Sequence, residues 1–187
     1  MLRRTVCSGA IAIDPAYAAA HAHIALTHVL DYANAWTSDP EHSLRIGLEL
    51  AQQVVRMDEE EPYGHFALAM AYMWNRELDR AQAEARRCLA LSPNSSEGLL
   101  MMAHVQIFSG DAAGALETLD AYMRLDPHYP EIALQFLADA HFSHGEFGQA
   151  IAALEQRLAR NPQSETAYAL LASCYGHLGQ SADCRTA

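Results

Sequence analysis

Residues 62–93 read PYGHFALAMAYMWNRELDRAQAEARRCLALSP, and two features of this stretch decide the fold. Large apolar and small residues recur three and four places apart on both sides of a polar break at Asn75-Arg76-Glu77. That is the period of two amphipathic helices joined by a turn, and not of a strand. The stretch also ends on Leu91-Ser92-Pro93, and the chain returns to that ending. Pro127 stands 34 positions after Pro93, and Pro162 another 35 after that. Gly110, Gly145 and Gly179 keep the same beat at intervals of 35 and 34. A period of this length with two helices in each unit is the mark of a helix-turn-helix repeat array.

The units superpose at the level of side-chain size. Leu68-Ala69, Met102-Ala103, Leu137-Ala138 and Leu171-Ala172 stand at equivalent places, each a large apolar residue followed by a small one. Three residues on come Tyr72, Gln106, His141 and Tyr175, and past the turn Ala81, Ala115 and Ala150 align with Cys184. Small residues let two helix backbones approach, and the aromatic and leucine side chains beside them fill the remaining space.

This pattern resembles the tetratricopeptide repeat. The family's small, aromatic, small, small and proline positions are matched by Ala69, Tyr72, Ala81, Cys88 and Pro93, and in the last unit by Ala172 and Tyr175. Gln106 and His141 depart from the aromatic, Ala85 from the bulky residue of the second helix, and Glu59 from the proline. The resemblance implies an all-α, right-handed superhelical solenoid of about five hairpins, a single domain over 1–187. Residues 1–15 then hold the second helix of a partial unit. A long unit follows at 16–59, then regular units at 60–93, 94–127 and 128–162, and an incomplete one at 163–187, where Ser181 opens a second helix. The long unit exceeds the period by ten residues. The excess is expected near Asp31–Pro40, as an extended helix or a structured loop, with Trp36 packed back and Ser38 or Asp39 capping the helix after Pro40.

Composition narrows the function. Twelve basic against 23 acidic residues give a formal net charge of −11, and every basic residue is arginine. Nucleic acid is therefore disfavoured as a partner, because phosphate binding needs clustered cations. No apolar run is long enough for a membrane span. Met1-Leu2-Arg3-Arg4 and the apolar run behind it imitate a signal peptide, but Asp14-Pro15 lies in phase with the repeats and argues against that reading. Cys7, Cys88, Cys174 and Cys184 show no paired spacing; Cys88 and Cys184 hold small-residue positions and read as core side chains in a reducing cytoplasm. Ten histidines raise the question of a metal, yet His21 and His28 lie two turns apart, and His141 occupies a packing position. No nucleophile with its base and no phosphate-cradling loop is present. The expectation is a protein without catalytic residues, metal or cofactor.

In proteins of the family that this sequence resembles, the first helix of each unit lines a concave groove. The resemblance places Leu26, Val29, Leu30, Tyr63, Phe66 and Met70 on that wall, followed by Met73, Trp74, Leu100, His104, Ile107 and Phe108. Later units add Gln135, Asp139, Phe142, Ser143, Ser173 and His177. The wall is apolar and aromatic early and polar late, which suits a protein or peptide partner anchored by aromatic and methionine side chains. The alternatives are that the chain covers this stripe itself, or that two copies pair through exposed apolar faces as a homodimer. If the groove is open, Trp74→Ala reduces partner binding and leaves the melting temperature nearly unchanged. The carboxylate clamp used by co-chaperones of this fold is not expected, since it relies on lysine. The order of Asp14–Ala18, Trp36–Pro40 and Leu125–Pro130 is also similar to the C-terminal repeats of bacterial proteins carrying an adenylate or guanylate cyclase or a winged-helix regulator domain. That resemblance implies a signalling scaffold.

Overall fold

A computed structural model of the protein describes residues 2–179. Among these residues it contains ten helices and no strand: α1 (Leu2–Ile13), α2 (Ala18–Ala33), α3 (Pro40–Met57), α4 (Pro62–Trp74), α5 (Leu78–Leu91), α6 (Ser96–Phe108), α7 (Ala112–Leu125), α8 (Ile132–Ser143), α9 (Phe147–Arg160) and α10 (Glu165–His177). Cys184 and the second helix expected at Ser181 lie outside the described residues. Contacts fall into two compact groups that divide between Val105 and Gln106, inside α6.

In the first group α2 pairs with α3 and α4 with α5, while α1 leans on α2, and α4 packs on both α2 and α3. The small residues act as expected. Ala22, Ala25, Ala51, Ala67, Ala69, Ala71, Ala81 and Ala85 are all completely buried. Gly47 marks the tightest approach. A β-carbon there would stand 2.8 Å from Val29 Cγ2 and 3.1 Å from the Ala25 carbonyl oxygen, so α2 and α3 meet nearly backbone to backbone. In the second group α7 packs on α8, α8 on α9, and α10 on both α8 and α9. Its core is Ala138, Ala150, Ala153, Leu154, Ala167, Leu171 and Cys174.

The turns explain the beat of the sequence. At the end of α4 the Glu77 amide donates to the Tyr72 carbonyl and the Arg76 amide to the Met73 carbonyl, the paired bonds of a Schellman cap. Asp111 and Gly110 repeat them onto Gln106 and Ile107, and Glu146 and Gly145 onto His141 and Phe142. The capping residue must take a left-handed backbone, with φ of 80° at Gly110, 83° at Gly145 and 72° at Gly179. Arg76 is forced into the same conformation at φ 65°. A β-carbon is disfavoured there by about 1 kcal/mol. Arg76→Gly is therefore expected to raise stability in urea unfolding by about that amount; a midpoint unchanged or lowered would show that the Arg76 side chain compensates in full. Between units, the side chains of Asp14, Asp58, Asp126 and Asn161 each accept from the amide two residues on. Asp14-Pro15 thus forms the same turn as the later unit boundaries.

The long unit differs from the expectation in how its excess is spent. α2 has 16 residues against 13 in α4, the loop 34–39 has six against three in 75–77, and α3 has 18 against 14 in α5. The ten residues are thus spread through the hairpin and not gathered at Asp31–Pro40. Asp39 does cap α3, accepting from the His42 amide at 3.1 Å. Trp36 does not pack back: it is 72% exposed. The α2 cap explains this. Ala35 takes φ 52° and the Trp36 amide donates to the Asp31 carbonyl, which ends the cap of α2 at Trp36 and leaves its side chain in the exposed loop between α2 and α3.

A buried ion pair clamps α4 to α5. His65, 5% exposed, bonds through Nδ1 to Glu84 Oε2 at 2.6 Å and through Nε2 to the Glu59 carbonyl at 3.1 Å. The Glu59 carbonyl accepts from Nε2 and an ionised Glu84 accepts from Nδ1, so the two bonds together favour the doubly protonated ring. The bond to Glu84 lifts its pKa above 6.5; burial opposes this, the Glu59 carbonyl and the Glu84 charge add to it, and Arg87 subtracts. A group whose folded pKa is raised stabilises fully below its unfolded value and loses that contribution as pH climbs through the folded one. Denaturation midpoints should therefore fall as pH rises from about 6.5 through the folded pKa, and His65→Asn should flatten that dependence. A midpoint equally steep in both proteins would show that His65 is not the titrating group.

Candidate docking wall

The first helices of the hairpins in the first group carry two aromatic rungs. At the N-terminal end of α4, Tyr63 lies 4.3 Å from the ring of His23 on α2 and 5.1 Å from Phe66. At its C-terminal end, Trp74 meets Tyr32 of α2 edge-on at 5.8 Å and His104 of α6 edge-on at 6.4 Å. Met70 lies between the rungs in sequence, and beneath it Val29, Leu44 and Ala71 form a core against which Tyr32, Leu48, Met70 and Trp74 also pack. Helical spacing makes the arrangement: His23, Leu26, Val29 and Tyr32 follow one another at three-residue steps, each close to the next while the row winds around α2, so that its two ends meet α4 at different places.

Beside the first rung lies a cavity of about 460 Å³, lined by Val6, Cys7 and Ala10 of α1, Tyr17 just before α2, Ala20 and His23 of α2, and Tyr63. Its wall is apolar apart from the Cys7 thiol, the imidazole and two phenol groups. The electrostatics of the helices that build the wall are one-sided. None of the twelve arginines falls in α2, α4, α6, α8 or α10; those in described helices lie in α1, α3, α5, α7 and α9, and Arg76 sits in a turn. The His104 ring is held neutral, its pKa pushed down to about 4 by burial.

The structure sorts the expected site residues into two sets. Leu26, Val29, Phe66 and Met73 are enclosed in the fold, with Met73 and Val29 inaccessible. Leu30, Tyr63, Met70, Trp74, Leu100 and His104 are half-buried and form the reachable part of the wall in the first group. Ile107, Phe108 and Phe142 are half-buried in the second group, where Phe142 meets Phe147 at 5.4 Å and His177 at 5.3 Å. Gln135 is buried and bonded to Arg157, and Asp139, whose pKa burial raises against the opposing Gln135 bond and Arg157 charge, accepts from Gln135 at 2.9 Å. Sequence reading missed Tyr17, His23, Tyr32 and the contribution of α1. The three-residue steps leading to and from Leu26 and Val29 would have found His23 and Tyr32; the cavity depends on how α1 is seated.

The histidines do not assemble a metal centre. His21 bonds to the Pro15 carbonyl at 3.0 Å and His28 to the Ser43 hydroxyl at 3.3 Å, while His141 bonds to Glu146 at 2.7 Å. Among the described residues no group of three or more His, Cys, Asp and Glu side chains is placed to hold an ion. Cys88 is buried, and burial together with the charges of Glu97 and Glu61 pushes its thiol up to about 11. No described helix is long and apolar enough to cross a membrane.

Comparison with known proteins adds three findings. The family pattern described as tetratricopeptide repeat matches residues 76–139 and 109–174, which together span more than half of the chain. An 82-residue stretch is 38% identical to part of a Rhizobium meliloti protein named "Putative adenylate cyclase 3"; it covers 44% of this chain and 14% of that protein. The fold is similar to solved structures of low sequence identity. A tetratricopeptide repeat protein from Parabacteroides merdae gives a TM-score of 0.70 at 14% identity, covering 98% of this chain and 68% of that one. A thermophilic repeat protein from Thermus thermophilus gives 0.68 at 17%, covering 83% and 84%. MamA from Desulfovibrio magneticus RS-1 gives 0.67 at 16%, covering 85% and 90%.

Proposed function

The chain belongs to the tetratricopeptide repeat family, a family of interaction scaffolds, and from that premise we propose that it docks a protein or peptide segment on the α2, α4 and α6 wall. The observation that carries this reading is the cavity of about 460 Å³ whose rim is the His23–Tyr63 pair. It has the size and apolar lining of a pocket for one large side chain, and it opens beside a half-buried aromatic surface. A half-buried tyrosine or tryptophan offers area to a partner without first leaving the core. The likeness to a stretch of a protein named as an adenylate cyclase supports a signalling context, in which docking here positions or regulates a catalytic domain.

The test is retention of peptides from a random twelve-residue library on the immobilised chain, compared with Ala10→Phe, which fills the cavity from the half-buried face of α1. Retention by the native protein and loss on Ala10→Phe is the expected result. Equal retention by both would move docking away from the cavity. A second reading, self-association, is favoured by one observation: at the mouth of the cavity Val6 is 67% and Tyr17 50% exposed, and Ile13 of α1 is 88% exposed, an apolar surface open to a second copy. Light scattering at micromolar concentration decides it, since a monomer removes this reading.

A further inference from the structure

We infer that the segment docked on this wall is basic, and that its arginine or lysine rests on the Tyr32–Trp74–His104 rung while an apolar side chain enters the cavity beside Tyr63. The inference rests on the docking reading above and adds the chemistry of the partner. Charge complementarity carries it. The chain has a formal net charge of −11, and the wall helices α2, α4 and α6 contribute no arginine, in a protein without lysine. The wall helices themselves hold no fixed charge of a cation's own sign; the nearest in sequence to the second rung is Arg76, in the turn two residues past Trp74. The second rung also lies where α2 ends at Ala33 and α4 at Trp74, so the negative ends of two helix dipoles converge on it, with Asp31 in the last turn of α2. The indole is the ring that attracts cations most strongly, and the neutral imidazole of His104 does not repel one.

Spacing makes the inference sharper. Tyr63 and Trp74 are eleven residues apart on one helix, about 16 Å at 1.5 Å per residue. An extended segment advances about 3.3 Å per residue, so its apolar anchor and its cation stand about five residues apart.

Peptides retained from the random library are resynthesised with each arginine or lysine replaced in turn by norleucine. The expected peptides share a basic residue four to six places from a large apolar one, and the norleucine exchange at that place weakens binding about tenfold. Trp74→Leu, which keeps apolar bulk without the indole face, should bind both peptides alike; Tyr32→Leu serves the same purpose should Trp74→Leu fail to fold. Retained peptides that lack a basic residue, or that ignore the exchange, overturn the inference and leave docking standing. Retention of no peptide overturns both.

Discussion

Replacing Arg157 by alanine is expected to lower the stability of the second group by about 3 kcal/mol, the low end of what loss of one partner from a buried ion pair costs. Arg157 is 6% exposed, and its guanidinium bonds to Glu131 and Gln135 of the loop and helix before it and to Thr166 of α10 at 3.0 Å. Asn161 completes the cluster by donating to Glu131 at 3.0 Å. One side chain of α9 thus ties together the start of α8 and the start of α10. Alanine would leave Gln135 buried with its carbonyl oxygen unpaired, whereas Glu131, about a third exposed, recovers water; this is why the low end applies. The paired change Arg157→Leu with Gln135→Leu should recover only part of the loss, because it removes the stranded Gln135 carbonyl but also takes from Asp139 the amide that donates to it. Urea unfolding followed by circular dichroism reads both. A loss below about 1 kcal/mol for the single variant would mean that the cluster stays hydrated and does not hold the helices.

Trp74→Ala is expected to do two things at once. It should cost about 2 to 3 kcal/mol, less than the 3 to 5 of a fully buried tryptophan because the ring is only half-enclosed, and it should abolish peptide retention. The sequence suggests the second effect without the first. The structure differs because Trp74 packs on the Val29, Leu44 and Ala71 core and on Tyr32 while staying partly exposed. A melting temperature unchanged by the substitution would mean that the indole is not seated on that core.

The difference illustrates what the chain reveals by itself. Repeat period, turn prolines and small-residue contacts are local, and each appears at a fixed place in every unit, so their superposition is visible without coordinates. The role of Asp14-Pro15 could be read for the same reason. A wall residue is harder to place. In a helix that packs on both sides, positions three and four apart serve core and groove alike, so Met73 and Phe66 look like Met70 and Tyr63 in sequence and separate only by burial. The clamps were hidden by distance: Glu84 lies 19 residues from His65, and Glu131 lies 26 from Arg157. Trp36 and Arg76 turned on backbone conformation. A left-handed cap is announced by glycine, and Ala35 and Arg76 adopt it without one.

The most direct test of the docking wall uses its own fluorophore. The chain has two tryptophans, Trp36 exposed and Trp74 half-enclosed, so Trp36→Phe leaves Trp74 to report alone. Titration of this variant with a peptide retained from the library is predicted to shift Trp74 emission to the blue in a saturable, one-to-one manner. Saturable binding of the same peptide with Trp74 emission unmoved would contradict the account.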